Sequence, residues 1–274
     1  MKKFLLLLFF LLSISSKTLG FIRDSEIENT IKEIVGPIAE AANQDKEKLK
    51  IFIIDDKQLN AFVTPGQKIF IFSGLIVNSE NVNALEGVIA HELGHITGRH
   101  HVKIYNQIGK SRAVLLAGLI GGIAVQALTG DPNAAAAIAG GTISTTGRSL
   151  LNFTRVQEGS ADQAGFSFLK KSGKSLCGII SFLELLESMD PYYRQNAYTQ
   201  THPLTRERII DARNAAKNEN CENNIKKKLN NMTPSELTID EKYNFVQVKL
   251  IGFIDPENVV NAIKNNPKFN DDQK

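Results

Sequence analysis

Apolar residues recur at helical spacing from position 24 to about position 48. Ile27, Ile31, Ile34, Val35, Ile38 and Ala41 line one face, and Ser25 with Glu28 reads as a capping-box start. The period then changes. Residues 49–54, 60–63 and 68–72 are short runs rich in Ile, Val and Phe, with the turn pair Pro65-Gly66 before the last, and they predict a small β-sheet. Ser73-Gly74-Leu75-Ile76 leaves the sheet as a short helix. The next helix, capped by Ser79 or Asn81, carries Leu85, Val88, Ile89, Leu93 and Ile96 alongside Ala84, Gly87, Ala90 and Gly94. A helix that is apolar or small nearly all round is buried, and its glycines admit close neighbours. Arg99, His100 and His101 suit its C-terminal end, where the two histidines are expected to cap the helix or support the ligands from behind, with ligation by them as the alternative.

Further along, residues 113–127 carry no charge and place Gly118 and Gly122 at small-xxx-small spacing, before Asp131-Pro132 and a second small-residue run over 134–141. A membrane span needs about 20 apolar residues, and each run stops short of that. The expectation is a buried helical hairpin beside the functional site, with an element inserted in or lying on a membrane as the alternative. Residues 140–151, rich in Gly, Ser and Thr, predict a mobile loop, and Thr154 with Gln157 predicts the start of a new helix. Residues 175–189 read as another helix and 190–200 as a loop holding Tyr192, Tyr193 and Tyr198. Thr201-His202-Pro203-Leu204 then precedes a helix bearing Arg206 and Arg208. A polar connection over 217–235, one more apolar segment over 245–254 and a frayed polar tail from 267 complete the chain. The pattern describes an α+β fold, mainly helical, with a small β-sheet beside the buried helix.

Composition adds a compartment. Lys2 and Lys3, the apolar run over 4–12 and the small residues before a cut after Gly20 read as a signal peptide over residues 1–20, with an uncleaved anchor as the alternative. The mature chain is then expected to be periplasmic or otherwise exported. Removing that segment takes three of the 32 basic residues and none of the 29 acidic ones, so the mature chain is neutral and offers no argument for a nucleic-acid partner. At 42% hydrophobic residues there is material for a sizeable core. In an oxidising compartment Cys177 and Cys221 form either a disulfide or two buried thiols. Neither belongs to a Cys-x-x-Cys pattern, so a metal must be held by histidine and carboxylate.

The candidate chemistry centres on His91-Glu92-Leu93-Gly94-His95. Histidines four apart on a helix share one face, so both rings reach one metal ion, and Glu92, about 100° further round, stands beside that ion as a general base without ligating it. Glu158 and Asp162 are again four apart. They fit a third metal ligand and a carboxylate that holds a ligand imidazole by its other nitrogen, leaving the fourth position open to water. The edge formed by Asn60, Ala61 and Phe62 is a candidate for holding a peptide in extended form.

In these motifs the chain resembles the zinc metallopeptidase family that includes the CAAX prenyl proteases, HtpX, the mitochondrial Oma proteases and BepA. The matching residues are Asn60-Ala61-Phe62 with Pro65-Gly66, Ser73-Gly74-Leu75, His91 to His95 with Arg99-His100, Arg155 with Glu158 and Asp162, and Thr201-His202-Pro203 with Arg208. The resemblance is nearest the exported BepA-like branch. It implies a zincin-type peptidase domain over 21–215 and a helical extension over 216–266. It implies one Zn2+ per chain on His91, His95 and Glu158, with Glu92 as general base and Asp162 orienting. His202 matches the family's His-Pro motif, as a fourth ligand that closes the site at rest or as a donor to the oxyanion, a role for which Arg208 is the weaker candidate. The sequence stops where BepA-like proteins continue into helical repeats, a departure that puts recruitment by such repeats in doubt. The long spans of the membrane-embedded members are also missing, so prenylated substrates are not expected. The resulting reading is a zinc endopeptidase acting on exported or misfolded envelope polypeptides, with envelope-protein or peripheral membrane association. The rival readings are a periplasmic binding protein or chaperone with an occluded metal site, and a membrane-associated protease of the same family.

Overall fold

A computed structural model describes residues 20–64, 66–188, 197–221, 237–257 and 260. The signal-peptide segment up to residue 19, Tyr192, Tyr193, most of the polar connection and the C-terminal tail lie outside the described residues.

The sheet has four strands, β1 (Gly20–Ile22), β2 (Lys50–Asp55), β3 (Ala61–Thr64) and β4 (Lys68–Phe72), in the order β1-β2-β4-β3. β2 and β4 run parallel and the outer pairs antiparallel. Period-two alternation sorts the faces. Ile51, Ile53, Ala61, Val63, Ile69 and Ile71 point into the core, where they meet Ile27, Ile31, Ile34 and Ile38 of α1 (Ser25–Ala41). Phe52, Phe70 and Phe62 stack across the outer face with ring centroids 4.9 and 4.8 Å apart. The cap of α1 is Asp24, which accepts from the amides of Glu26 and Ile27, in place of the expected Ser25 and Glu28 pair.

After α2 (Ser73–Asn78), Asn81 caps α3 (Val82–Thr97), the helix at the centre of the molecule. Its glycines are contact points. A Cβ on Gly87 would lie 2.7 Å from the backbone nitrogen of Ile179 in α6 (Cys177–Ser188), and one on Gly94 would lie 2.5 Å from the carbonyl oxygen of Ala161 in α5 (Pro132–Lys171). Backbones this close set the depth at which neighbouring side chains enter the site.

Three expectations are corrected between positions 98 and 171. His100 and His101 do not close α3: Arg99, in the left-handed region at φ 52°, turns the chain, and both histidines open α4 (His100–Thr129). Residues 140–151 are not a loop and Thr154 starts no helix, because α5 runs unbroken from Pro132. No proline or charge conflict interrupts the Gly, Ser and Thr run, and the hydroxyls of Thr142 and Thr145 bond to the carbonyls of Ile138 and Gly141 one turn back, satisfying themselves without breaking the helix. Finally, the α4–α5 hairpin is exposed, not buried. Leu116, Ile120, Ile123 and Leu128 are 60 to 86% accessible, because only the basal part of α5 packs on α3.

The C-terminal half closes the core with α7 (Ala197–Thr201), α8 (Arg206–Ala215) and α9 (Ile239–Ile254). Tyr243, Val246 and Leu250 of α9 are fully buried, and the Tyr243 hydroxyl donates to the Ile76 carbonyl. Cys177 and Cys221 form a disulfide with a Cα separation of 5.2 Å.

Candidate metal centre

Three segments deliver the expected residues to one point. α3 presents His91 and His95 one turn apart, with their Nε2 atoms separated by 3.0 Å. α5 presents Glu158, whose oxygens lie 3.3 Å from each of those nitrogens. His202, at the end of α7, brings Nδ1 to 3.3 Å from both His91 Nε2 and Glu158. The four donor atoms lie within 4.8 Å of one another, and all four residues are buried.

The surroundings prepare those donors for a cation. His91 Nδ1 lies 2.8 Å from Asp162 Oδ1. Burial would raise the Asp162 carboxyl, but His91 and Arg208 beside it hold it at about 2, so it accepts and His91 Nδ1 carries the proton. Nε2 of His91 therefore turns toward the Glu158 carboxylate. That carboxylate, despite its burial, is held far below the ordinary carboxylate range by its three histidine neighbours. Burial disfavours a charged His91, yet Asp162 and Glu158 beside it lift it to about 9, so the surroundings of this ring favour positive charge. A divalent ion meets the same need, and imidazole nitrogens with one carboxylate suit a first-row transition metal. His95 is supported in turn by His100, whose Nδ1 lies 2.9 Å from His95 Nδ1, and Gln157 donates to the His100 carbonyl.

Glu92 is fully buried, and neither of its oxygens has a hydrogen-bond partner among the described residues. Oε1 lies 3.4 Å from His202 Nε2, and burial pushes the carboxyl upward. Arg208, 4% exposed, faces the two carboxylates of α5. Its Nε and Nη2 donate to the two oxygens of Asp162 at 2.7 and 2.9 Å, and Nη1 lies 3.0 Å from Glu158 Oε2. Sequence reasoning missed Tyr198, whose ring stacks on His202 with centroids 4.6 Å apart and whose buried hydroxyl has no hydrogen-bond partner among the described residues. The spacing of four between Tyr198 and His202, one helical turn, was its only signal.

The proposed peptide edge lies on β3, the last strand of the sheet. The Phe72 amide donates to the Asn60 carbonyl, so by antiparallel alternation Phe62 and Thr64 bond toward β4 while the backbone groups of Ala61 and Val63 face away from it.

Comparison with known proteins gives the family. The family described as Peptidase family M48 matches residues 24–216, which include every residue of the cluster. The chain belongs to peptidase family M48. The Beta-barrel assembly-enhancing protease of Escherichia coli (strain K12) is 28% identical over 232 residues, covering 84% of this chain and 45% of that protein. Metalloprotease YcaL of the same strain is 26% identical over 188 residues, covering 68% of each chain. The mitochondrial metalloendopeptidase OMA1 of Schizosaccharomyces pombe is 24% identical over 180 residues, covering 65% of this chain and 50% of that protein. The chain thus spans about half the length of the first of these relatives.

Proposed function

We propose that the protein is a zinc endopeptidase of the cell envelope that cleaves exported or misfolded polypeptides. The observation that carries this reading is the buried set of His91, His95 and Glu158 beside a buried Glu92 whose oxygens have no hydrogen-bond partner among the described residues. A structural site has no use for such a base. His91, His95 and Glu158 would hold one zinc ion, which when bound lowers the pKa of water and polarises a peptide carbonyl. Glu92 takes the proton from the attacking water and delivers it to the leaving nitrogen. Asp162 fixes the ring of His91, and Arg208 fixes Asp162 and Glu158. Residues 21–215 carry the peptidase domain and 216–266 its helical extension. The substrate lies extended along Asn60, Ala61 and Phe62, bonding to the outward backbone groups of Ala61 and Val63. Methylating the alternate backbone nitrogens of a cleaved peptide that face β3 should lower kcat/KM about tenfold per lost hydrogen bond, and an unchanged value would remove the edge from the account.

His202 occupies the side of the cluster next to Glu92, and its closeness to both Glu92 and Glu158 supports a closed resting arrangement. The activity is tested by treating the purified chain with a zinc chelator and following cleavage of unfolded casein. Cleavage should vanish and return on addition of one equivalent of Zn2+ per chain. Cleavage that survives verified metal removal would contradict the proposal.

A further inference from the structure

The α4–α5 hairpin projects from the core with an apolar exterior, and we propose that it inserts into a lipid bilayer carrying anionic headgroups. Between Arg112 and Arg148 the only charged residue is Asp131, at the turn where the two helices meet. Leu116, Leu119, Ile120 and Ile123 of α4 and Ile143 of α5 point outward and are 49 to 68% exposed. Solvent-facing aliphatics of this density are unfavourable in water and favourable in hydrocarbon.

Three further features select lipid over a protein groove as the occupant. First, Gly118 and Gly122 face inward: a Cβ on Gly118 would fall 2.5 Å from the Thr142 hydroxyl, and one on Gly122 would fall 3.0 Å from the Ala135 carbonyl, so the two helices pack closely there while the large side chains named above point outward. Second, the hydroxyls of Thr129, Thr142 and Thr145 are each spent on a carbonyl of their own helix, which is how hydroxyls are accommodated where water is absent. Third, the charge-free part of α4, from position 113 to 129, is about 25 Å long at 1.5 Å per residue, close to the roughly 30 Å of a bilayer's hydrocarbon. Lys110 and Arg112 on one helix and Arg148 on the other form a basic collar at its base, level with lipid phosphates, and Tyr105, 78% exposed, stands just outside it. Asp131 then emerges at the opposite headgroups. Glu158 is ten residues beyond Arg148 on the same helix, which sets the metal-binding cluster about 15 Å from the membrane surface. The inference rests on the hairpin alone and holds whether or not the chain cleaves peptides.

The test labels the full chain at a single introduced cysteine with an environment-sensitive fluorophore, at Leu119→Cys inside the segment or Val102→Cys at its base. Vesicles of phosphatidylethanolamine and phosphatidylglycerol are compared with vesicles of phosphatidylcholine. A local probe is independent of any binding through the N-terminal apolar segment. The label at 119 should shift to the blue and be quenched by nitroxide-bearing acyl chains, and the label at 102 should do neither. The combined variant Lys110→Glu, Arg112→Glu and Arg148→Glu should weaken the response on anionic vesicles, by about fivefold per residue. Ile120→Asp with Ile123→Asp, both on the exposed surface and so compatible with folding, should abolish it. No shift at 119 on either vesicle would overturn the proposal. So would a shift that grows with protein concentration in the absence of lipid, which would make the occupant a second copy of the hairpin.

Discussion

The Asp162 carboxylate is the residue on which the preparation of the metal site turns. It meets His91 at 2.8 Å and is itself gripped by two nitrogens of Arg208. Carboxylates in this position typically contribute 10- to 100-fold to metal affinity, so Asp162→Asn should lower zinc affinity by about that factor, measured by competition with a chromophoric chelator. Unchanged affinity would mean that His91 needs no such partner. His202 makes the opposite prediction. If it closes the site at rest, His202→Ala should raise the rate of casein cleavage several-fold with zinc retained, whereas a fall with zinc retained would make it a participant in the reaction. Residue pairs were the most legible part of the sequence, because helical geometry converts a spacing of four into a shared face without reference to the rest of the fold. Arg208 and Tyr198 were harder to place. Their contacts with Asp162 and His202 depend on how the C-terminal helices dock, and no local spacing encodes that for Arg208.

At the scale of elements, α3 and α5 must lie nearly in backbone contact for the two pairs to meet, and Gly94 permits it. A methyl group there would press on the Ala161 carbonyl, which cannot swing away as a side chain could. Gly94→Ala should therefore cost about 1 to 3 kcal/mol, the usual penalty for overpacking, read from urea unfolding, and should weaken metal binding in parallel. Loss of stability with full metal affinity would separate packing from the site. β1, three residues at the expected cut after Gly20, is too short to show a period, whereas β2, β3, β4 and α3 were legible because their periods are unambiguous. The α4–α5 hairpin was not. Glycine, serine and threonine argue for a loop by local propensity, yet here they lie within a 40-residue helix in which Thr142 and Thr145 spend their hydroxyls on carbonyls one turn back. Burial was misjudged for a related reason: a run without charges looks like core, and sequence does not say whether protein surrounds it.

For the whole molecule, the Cys177–Cys221 disulfide joins the start of α6 to the chain just beyond α8 across a separation of 44 residues. Constraining an unfolded loop of that size is worth about 2 to 4 kcal/mol. Replacing both cysteines by serine should lower unfolding stability by that amount and leave the metal cluster intact, whereas no change in stability would show that packing alone holds the two segments. Sequence left the pairing open, since two cysteines in one chain do not reveal their distance. The long-range geometry also joins the C-terminal helix to the first, because α9 buries Tyr243, Val246 and Leu250 in the same core as α1. The four-residue spacings put His91, His95 and Glu158 within reach of one another, and His202, expected beside them from the resemblance, completes the buried group.

The central claim is that a metal held by this cluster works with Glu92 to hydrolyse peptides. The most direct measurement compares zinc content and casein cleavage in the wild-type chain and in Glu92→Gln. The account predicts one zinc per chain in both, with cleavage by the wild type alone. Equal cleavage by the two proteins, or a well-folded wild type that takes up no zinc when zinc is supplied, would contradict it.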